Sequence, residues 1–147
     1  MAEGLWWIIT MIIATLVMLP IILHTRDFRF LTSNILFVLV AVTWTRYIFL
    51  WSTHPLARSR PFRYVLLVIC IPAIIYSVGA LNDFQIFIDD YGLTPFTDHL
   101  RLDRQRSIAK YIKNEYIFFG VASVISSLAL PIRLLISKWR QRNSTRV

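Results

Sequence analysis

The sequence predicts an all-α polytopic membrane protein, with four transmembrane helices and a small extramembrane cap with a helical stem before the last helix. The 147-residue chain is 56% hydrophobic, and only 16% of its residues are charged, against about 25% in ordinary soluble domains. Its mean hydropathy is +0.58. Apolar runs of about 20 residues, enough to cross some 30 Å of hydrocarbon as a helix, recur along the chain. One long polar stretch, residues 82–115, interrupts this pattern.

The first predicted span, residues 5–23, contains no charged residue. A cleaved secretory signal has a basic segment before its apolar core and small residues at the cleavage site. This run instead has Glu3 before it and Pro20 near its end. We therefore interpret it as a retained transmembrane helix.

The second predicted span, residues 31–51, contains a charged residue, Arg46. An arginine inside a membrane either has a function there or extends its aliphatic stem until the guanidinium reaches the interface. Arg46 lies about 7.5 Å from the end of the run along a helix, and Trp44 and Trp51 beside it are typical of an interface. This pattern favours the second interpretation, and a buried functional arginine stays the alternative.

The third predicted span, residues 64–81, is uncharged and contains the single cysteine, Cys70, which we expect to be a buried apolar residue. The turn before this span and the tail after the last one are basic and contain no acid. Their basic residues are Arg58, Arg60 and Arg63 in the turn, and Lys138, Arg140, Arg142 and Arg146 in the tail. Basic groups that flank apolar runs bind lipid headgroups, so the net charge of +8 predicts contact with anionic lipids rather than with nucleic acid.

The fourth predicted span, residues 116–137, is rich in small residues, among them Gly120, Ser123 and Ser127. Small side chains allow two transmembrane helices to approach closely. These positions are therefore candidate helix contacts, as the basic residues of the turn and Arg46 are candidate lipid or helix contacts.

The polar stretch divides into two halves. In the first half, residues 82–97, Phe84, Ile86 and Ile88 alternate with polar residues before a turn, a pattern that predicts an extended, hairpin-like piece. The second half, residues 98–115, has apolar residues at helical spacing and no glycine or proline. It predicts a helical stem that opens at Asp98 and runs into the fourth span.

The stem also carries the candidates for chemistry. His99 and Asp103, four residues apart, would share a helix face beside Asp98 and could hold a metal or act in catalysis. No metalloprotease, paired-cysteine, phosphate-loop or calcium-loop motif accompanies them, and acidic residues near a turn are usually only solvated. The predicted spans contain no Asp, Glu or His for a proton path. We therefore expect neither an enzyme nor a bound cofactor.

These features favour a non-catalytic accessory or scaffold subunit of a larger membrane complex, which contacts other integral membrane subunits through its small-residue helix faces and its cap. The alternative is a small membrane enzyme or lipid-handling protein that uses the aspartates and histidine of the cap. Basic residues are almost evenly divided between the two sides, but those of the tail and the middle turn lie directly at span ends. This favours an inner or cytoplasmic membrane with both termini in the cytoplasm.

Overall fold

A computed structural model describes residues 2–50 and 60–144, and nearly all of them are helical. The helices are α1 (Ala2–His24), α2 (Leu31–Leu50), α3 (Arg60–Tyr91), the short α4 (Thr94–Thr97) and α5 (Leu102–Ser144). Within this part of the chain, α1, α2, α3 and α5 are long and apolar enough to cross a membrane. The predicted all-α fold with four membrane-spanning helices is confirmed.

Each long helix runs antiparallel to the previous one, so the start of α1 and the end of α5 lie at one end of the bundle, called here the terminal end. Arg46, near the end of α2, lies with its Cζ 5.3 Å from the centroid of the Trp6 ring, near the start of α1. Lys138, near the end of α5, lies with its Nζ 5.8 Å from the centroid of the Tyr64 ring, near the start of α3. Four helix ends therefore meet at the terminal end.

The opposite end, called here the cap end, is closed by a cluster of phenylalanines. Phe28, in the loop between α1 and α2, packs edge-on against Phe96 of α4 at 5.2 Å between ring centroids. Phe30 packs in the same way against Phe84 and Phe87 of α3, at 5.2 and 5.3 Å. Edge-to-face pairs of this kind add about 0.5–1.5 kcal/mol each beyond the burial of their area. The cluster fixes the loop and α4 against α3.

The prediction of an extended, hairpin-like piece after the third span was wrong, because α3 continues as a helix up to Gly92. Phe84, Phe87 and Ile88 recur at helical spacing and pack into the core. The alternating pattern depended on Ile86, which is 52% exposed. Gly92 ends the helix with φ of +69°, a left-handed conformation that costs glycine little.

The stem begins at Leu102 rather than at Asp98, because a turn separates it from α4. Asp98 caps the C-terminus of α4, and does not open α5. The buried side chains of Phe96 and Thr97 hold α4 in place before the turn. From Leu102, α5 runs for 43 residues without a break. At 1.5 Å per residue it is about 65 Å long, roughly twice the thickness of the hydrocarbon, so it projects from a bilayer.

α5 is the central helix of the bundle, since it packs along both α2 and α3 and also touches α1 and α4. Gly120 of α5 is buried against Leu81 of α3 and Phe37 of α2. A Cβ atom at this position would lie 2.9 Å from Leu81 Cγ and 3.0 Å from Phe37 Cε2, closer than carbon atoms pack. The absence of a side chain at Gly120 therefore allows three helices to meet.

Hydrogen bonds tie the same helices together further toward the terminal end. Ser123 of α5 donates to Ser77 of α3, with 2.9 Å between the two Oγ atoms. The indole Nε1 of Trp44 in α2 donates to Ser127 Oγ of α5 at 2.8 Å. Both bonds are buried, and they fix the rotation of α5 relative to its two neighbours.

We predict that Gly120→Ala lowers the free energy of unfolding by about 1–3 kcal/mol, because the added methyl group overpacks the contact with Leu81 and Phe37. Gly79→Ala is the matched control, since no atom lies within 4 Å of the Cβ position at Gly79. Unfolding of both variants in lipid bicelles measures the difference. Equal stability of the two variants would contradict the close approach at Gly120.

Candidate functional site

Two of the three basic residues predicted in the turn before the third span, Arg60 and Arg63, lie within the described residues. Arg58 lies outside the described residues, and Arg60 is described only as the first residue of α3. Arg63 is a partly buried residue one turn further along the same helix. Their predicted contact with lipid headgroups stays a prediction.

The structure does not place His99 and Asp103 on one helix face. His99 lies in the turn between α4 and α5, whereas Asp103 lies in the first turn of α5. His99 Nδ1 is instead 3.6 Å from Asp98 Oδ1, and that aspartate side chain is 70% exposed. Within residues 2–50 and 60–144, no three His, Cys, Asp or Glu side chains are grouped so that they could hold a metal ion. The shared face was wrongly predicted because the helix begins after His99.

Arg46 is only 9% exposed. Its guanidinium carbon lies 5.3 Å from the centroid of the Trp6 ring and 5.5 Å from that of the Tyr47 ring. The faces of aromatic rings attract a cation by about 0.5–2 kcal/mol each, which offsets part of the hydration that the charge loses on burial. Arg46 also lines a groove of about 500 Å³ between α1, α2 and α5. The contact of Arg46 with the Trp6 ring thus joins α2 to α1 at the terminal end.

The small residues of the fourth span make their contacts within this chain. Gly120 meets α2 and α3, Ser123 bonds to α3, and Ser127 bonds to α2. The helices that they join belong to one bundle, so their predicted role in contacting another subunit stays a prediction. A contact with another protein has to use a different surface.

Near the cap end, the structure brings together two polar side chains that the sequence analysis did not connect. Asn34 of α2 is fully buried and Glu115 of α5 is 7% exposed. The Asn34 amide Nδ2 donates to Glu115 Oε2 at 2.5 Å. The amide oxygen of Asn34, Oδ1, and the second carboxyl oxygen of Glu115, Oε1, are also buried and have no hydrogen-bond partner among the described residues. Two acceptors are therefore left without a donor.

This pair lies about one helical turn inside the bundle. Asn34 is in the first turn of α2, and the 20 residues of α2 span about 30 Å, the thickness of the hydrocarbon. One turn before Glu115 in α5, Tyr111 donates to the Val17 carbonyl oxygen of α1 at 2.9 Å. Such hydrogen bonds are typical of the interior of a transmembrane bundle, where water does not compete.

The four predicted spans contain no acidic residue. The candidate span of α5, Leu102–Trp139, is longer than the hydrocarbon is thick, and it includes Glu115. The predicted span began one residue later, at the first residue of the uninterrupted apolar run. Helical spacing does indicate that Glu115 faces inward, because Ile108 and Ile112 precede it by seven and three residues and lie on the same face of the helix. That face is the one that packs into the bundle.

An open groove of about 660 Å³ lies beside the pair, between α1 and α5. We call it the α1–α5 groove. The residues that line it are Val17, Ser107, Lys110, Tyr111, Asn114, Glu115, Phe118 and Phe119. Phe118 and Phe119 also line the groove that contains Arg46, so the two grooves adjoin. An apolar path follows one side of the bundle. Lys110 and Glu115 lie near its cap end, and Arg46 lies near its terminal end.

The chain matches no protein-family model, no curated protein and no solved structure. The chemistry of the site is therefore inferred from its geometry alone. One oxygen of the Glu115 carboxyl is held by an amide, and the other is buried beside a groove. That second oxygen can accept a hydrogen bond, but it is enclosed by the protein and is not open to the groove.

We predict that Glu115→Leu and Asn34→Leu each lower the free energy of unfolding by about 1–3 kcal/mol, because each leaves the remaining polar partner buried without its hydrogen bond. The double variant Asn34→Leu/Glu115→Leu loses less than the sum of the two, since no polar group is then left unpaired. Unfolding measurements on the four proteins of this cycle give the coupling energy. Additive losses would show that the two side chains do not interact.

Proposed function

We propose that this protein is a non-catalytic accessory or scaffold subunit of a larger integral membrane complex, and that α3 is the helix on which a partner subunit packs. The single observation that carries this proposal is the position of Gly79. It lies in the apolar part of α3, and apart from its chain neighbours and the backbone of its own helix, no atom of the described residues is within 4 Å of where its Cβ would be. Its neighbour Val78 is 51% exposed, so this part of the helix faces outward.

The two glycines of the apolar helix interiors differ in their surroundings. Gly120 is required by contacts inside the bundle, whereas Gly79 touches nothing there. A glycine within a helix costs about 0.5–1 kcal/mol relative to alanine, and close approach of another helix offsets such a cost in membranes. The outward glycine therefore supports a contact with a helix from another chain.

The cap end adds charged surface that such a complex can use outside the membrane. The final turn of α3 contains the exposed Asp89 and Asp90, and the first turns of α5 contain the exposed Arg104 and Arg106. Exposed charges of opposite sign favour oriented encounters with a partner of complementary charge. In the orientation that we propose, the termini face the cytoplasm, the cap end faces the other side, and the membrane is an inner or cytoplasmic membrane.

We predict that the tagged protein, extracted in a mild detergent, purifies with larger membrane proteins at a fixed stoichiometry. Gly79→Leu should abolish this association, because its side chain fills the space that a partner helix needs. Gly79→Ala should retain most of the association with the partner. Val78→Leu is the control, because it places an exposed leucine at the position beside Gly79. Native mass spectrometry with identification of each chain is the measurement.

Two results would contradict the proposal. The first is recovery of the wild-type protein only as a monomer or homo-oligomer. The second is full retention of the partners by a Gly79→Leu variant that is as stable as the wild type.

A further inference from the structure

The buried pair of Asn34 and Glu115 has more acceptors than donors. The Asn34 amide nitrogen donates to Glu115 Oε2 at 2.5 Å. Asn34 Oδ1 and Glu115 Oε1 have no hydrogen-bond partner among the described residues, and both atoms are enclosed by protein. Neither bulk water nor a ligand in the α1–α5 groove therefore reaches these two oxygens.

Two hydroxyl groups beside Glu115 already have other acceptors. Tyr111, one turn before it in α5, donates to the Val17 carbonyl oxygen of α1 at 2.9 Å. Tyr116, the next residue, donates to the Ala80 carbonyl oxygen of α3 at 3.2 Å. Both bonds join α5 to a neighbouring helix, so neither hydroxyl is available to the pair.

The charged groups of the surrounding elements do not bond to Oε1 either. Lys110 lines the α1–α5 groove, but its ammonium does not donate to this oxygen. Residues 10–21 of α1, residues 31–45 of α2 and all of α4 contain no titratable group. The titratable groups on the surrounding elements are Tyr76 and Asp83 of α3, Tyr111, Lys113 and Tyr116 of α5, His24 at the end of α1, and the exposed Arg26, Asp27 and Arg29 of the loop that follows α1.

An ionised Glu115 would therefore be a buried charge with one amide donor and no donor at its second oxygen. Removal of a carboxylate from water costs far more free energy than one hydrogen bond returns. A buried carboxyl in such surroundings avoids this cost when it is neutral, that is, when it carries a proton.

A proton on the carboxyl also supplies the missing donor. A planar amide and a planar carboxylic acid that share one N–H···O bond can close a second bond between their remaining oxygens, because the acid carries an O–H group. Since Asn34 Nδ2 donates to Oε2, the proton belongs on Oε1, and its acceptor is Asn34 Oδ1. One proton thus satisfies both enclosed oxygens.

We propose that Asn34 and Glu115 form a proton-binding site, in which one proton on Glu115 closes a ring of two hydrogen bonds between α2 and α5. Loss of the proton breaks one of these bonds, leaves a buried charge and loosens the contact of the two helices near the cap end. The site goes beyond the proposed role as a subunit and does not depend on it, because Gly79 takes no part in it.

The pH dependence of stability follows from the protons bound by the folded and the unfolded chain. An exposed glutamate has a pKa of about 4.3, so Glu115 of the unfolded chain is ionised at neutral pH. Above this pH the folded chain binds one proton more, and its stability therefore falls as the pH rises. The unfolding equilibrium constant should rise by up to about tenfold per pH unit, until the folded chain also releases the proton.

The first test is infrared spectroscopy of the full chain in lipid bilayers at about pH 7. A protonated carboxyl has a carbonyl stretch that is separate from the bands of carboxylates and of the backbone, and exposed Asp and Glu are ionised at this pH. We expect one such band in the wild type and none in Glu115→Gln. Asp83→Asn, which removes an exposed acid of α3, is the matched control and should keep the band.

Glu115→Gln also tests the ring of hydrogen bonds. Its amide can accept from Asn34 Nδ2 and donate to Asn34 Oδ1, as the protonated acid does, but it does not titrate. Between about pH 5 and pH 8, the unfolding constant of the wild type in lipid bicelles should rise at least tenfold relative to that of Glu115→Gln. Asp83→Asn should keep the pH dependence of the wild type.

The proposal is overturned if the wild type has no protonated carboxyl at pH 7, if the band persists in Glu115→Gln, or if the stabilities of these two proteins depend equally on pH. Asn34→Leu should shift the frequency of the band, because the carboxyl loses its hydrogen bonds, and an unshifted band overturns the ring. Loss of partner proteins on Gly79→Leu leaves the band unchanged, so this proposal and the proposed function fail independently.

Discussion

The close packing of α5 between α2 and α3 is the constraint on which the rest of the bundle depends. Lipid chains are as apolar as leucine, so helices in a membrane gain nothing from burying apolar surface against one another. Association has to come from close contact and from interhelical hydrogen bonds. Gly120 provides the contact, and the bonds of Ser123 to Ser77 and of Trp44 to Ser127 provide directed links. Each such bond contributes about 0.6 kcal/mol on average, so several are needed.

This arrangement divides the polar side chains into two kinds. The serines along α5 have their hydrogen bonds satisfied within the bundle, and they serve the fold. The Asn34 amide nitrogen donates to one oxygen of Glu115, and each of the two side chains keeps one acceptor without a donor among the described residues. A buried acceptor without a donor costs stability, so this pair does not serve the fold as the serines do. The outward Gly79 is a second feature that the fold itself does not use.

The fold was predictable from the sequence to the extent that hydropathy determines it. The spans of α1 and α2 follow from uninterrupted apolar runs, and the stem of α5 follows from helical spacing. The extension of α3 was not predicted, because apolar residues at positions 84, 86 and 88 alternate with polar ones as they do in a strand. The sequence does not show that Ile86 is exposed and lies outside the packed face of the helix. The site was not predicted, because hydropathy places Glu115 at the border of a span, and only the packing of α5 on α2 brings it to Asn34. Side chains 81 positions apart in sequence carry no local signal of their contact.

The most direct test of this packing is disulfide cross-linking in native membranes, with Ser77→Cys/Ser123→Cys in a Cys70→Ala background. The two serine Oγ atoms are 2.9 Å apart, so sulfur atoms in their places lie within bonding reach. Ser77→Cys/Ile125→Cys is the control, because Ile125 is 60% exposed on an outer face of α5. The structure predicts rapid oxidation of the first pair and little oxidation of the control. An uncross-linked first pair, or equal oxidation of both, would contradict the central position of α5.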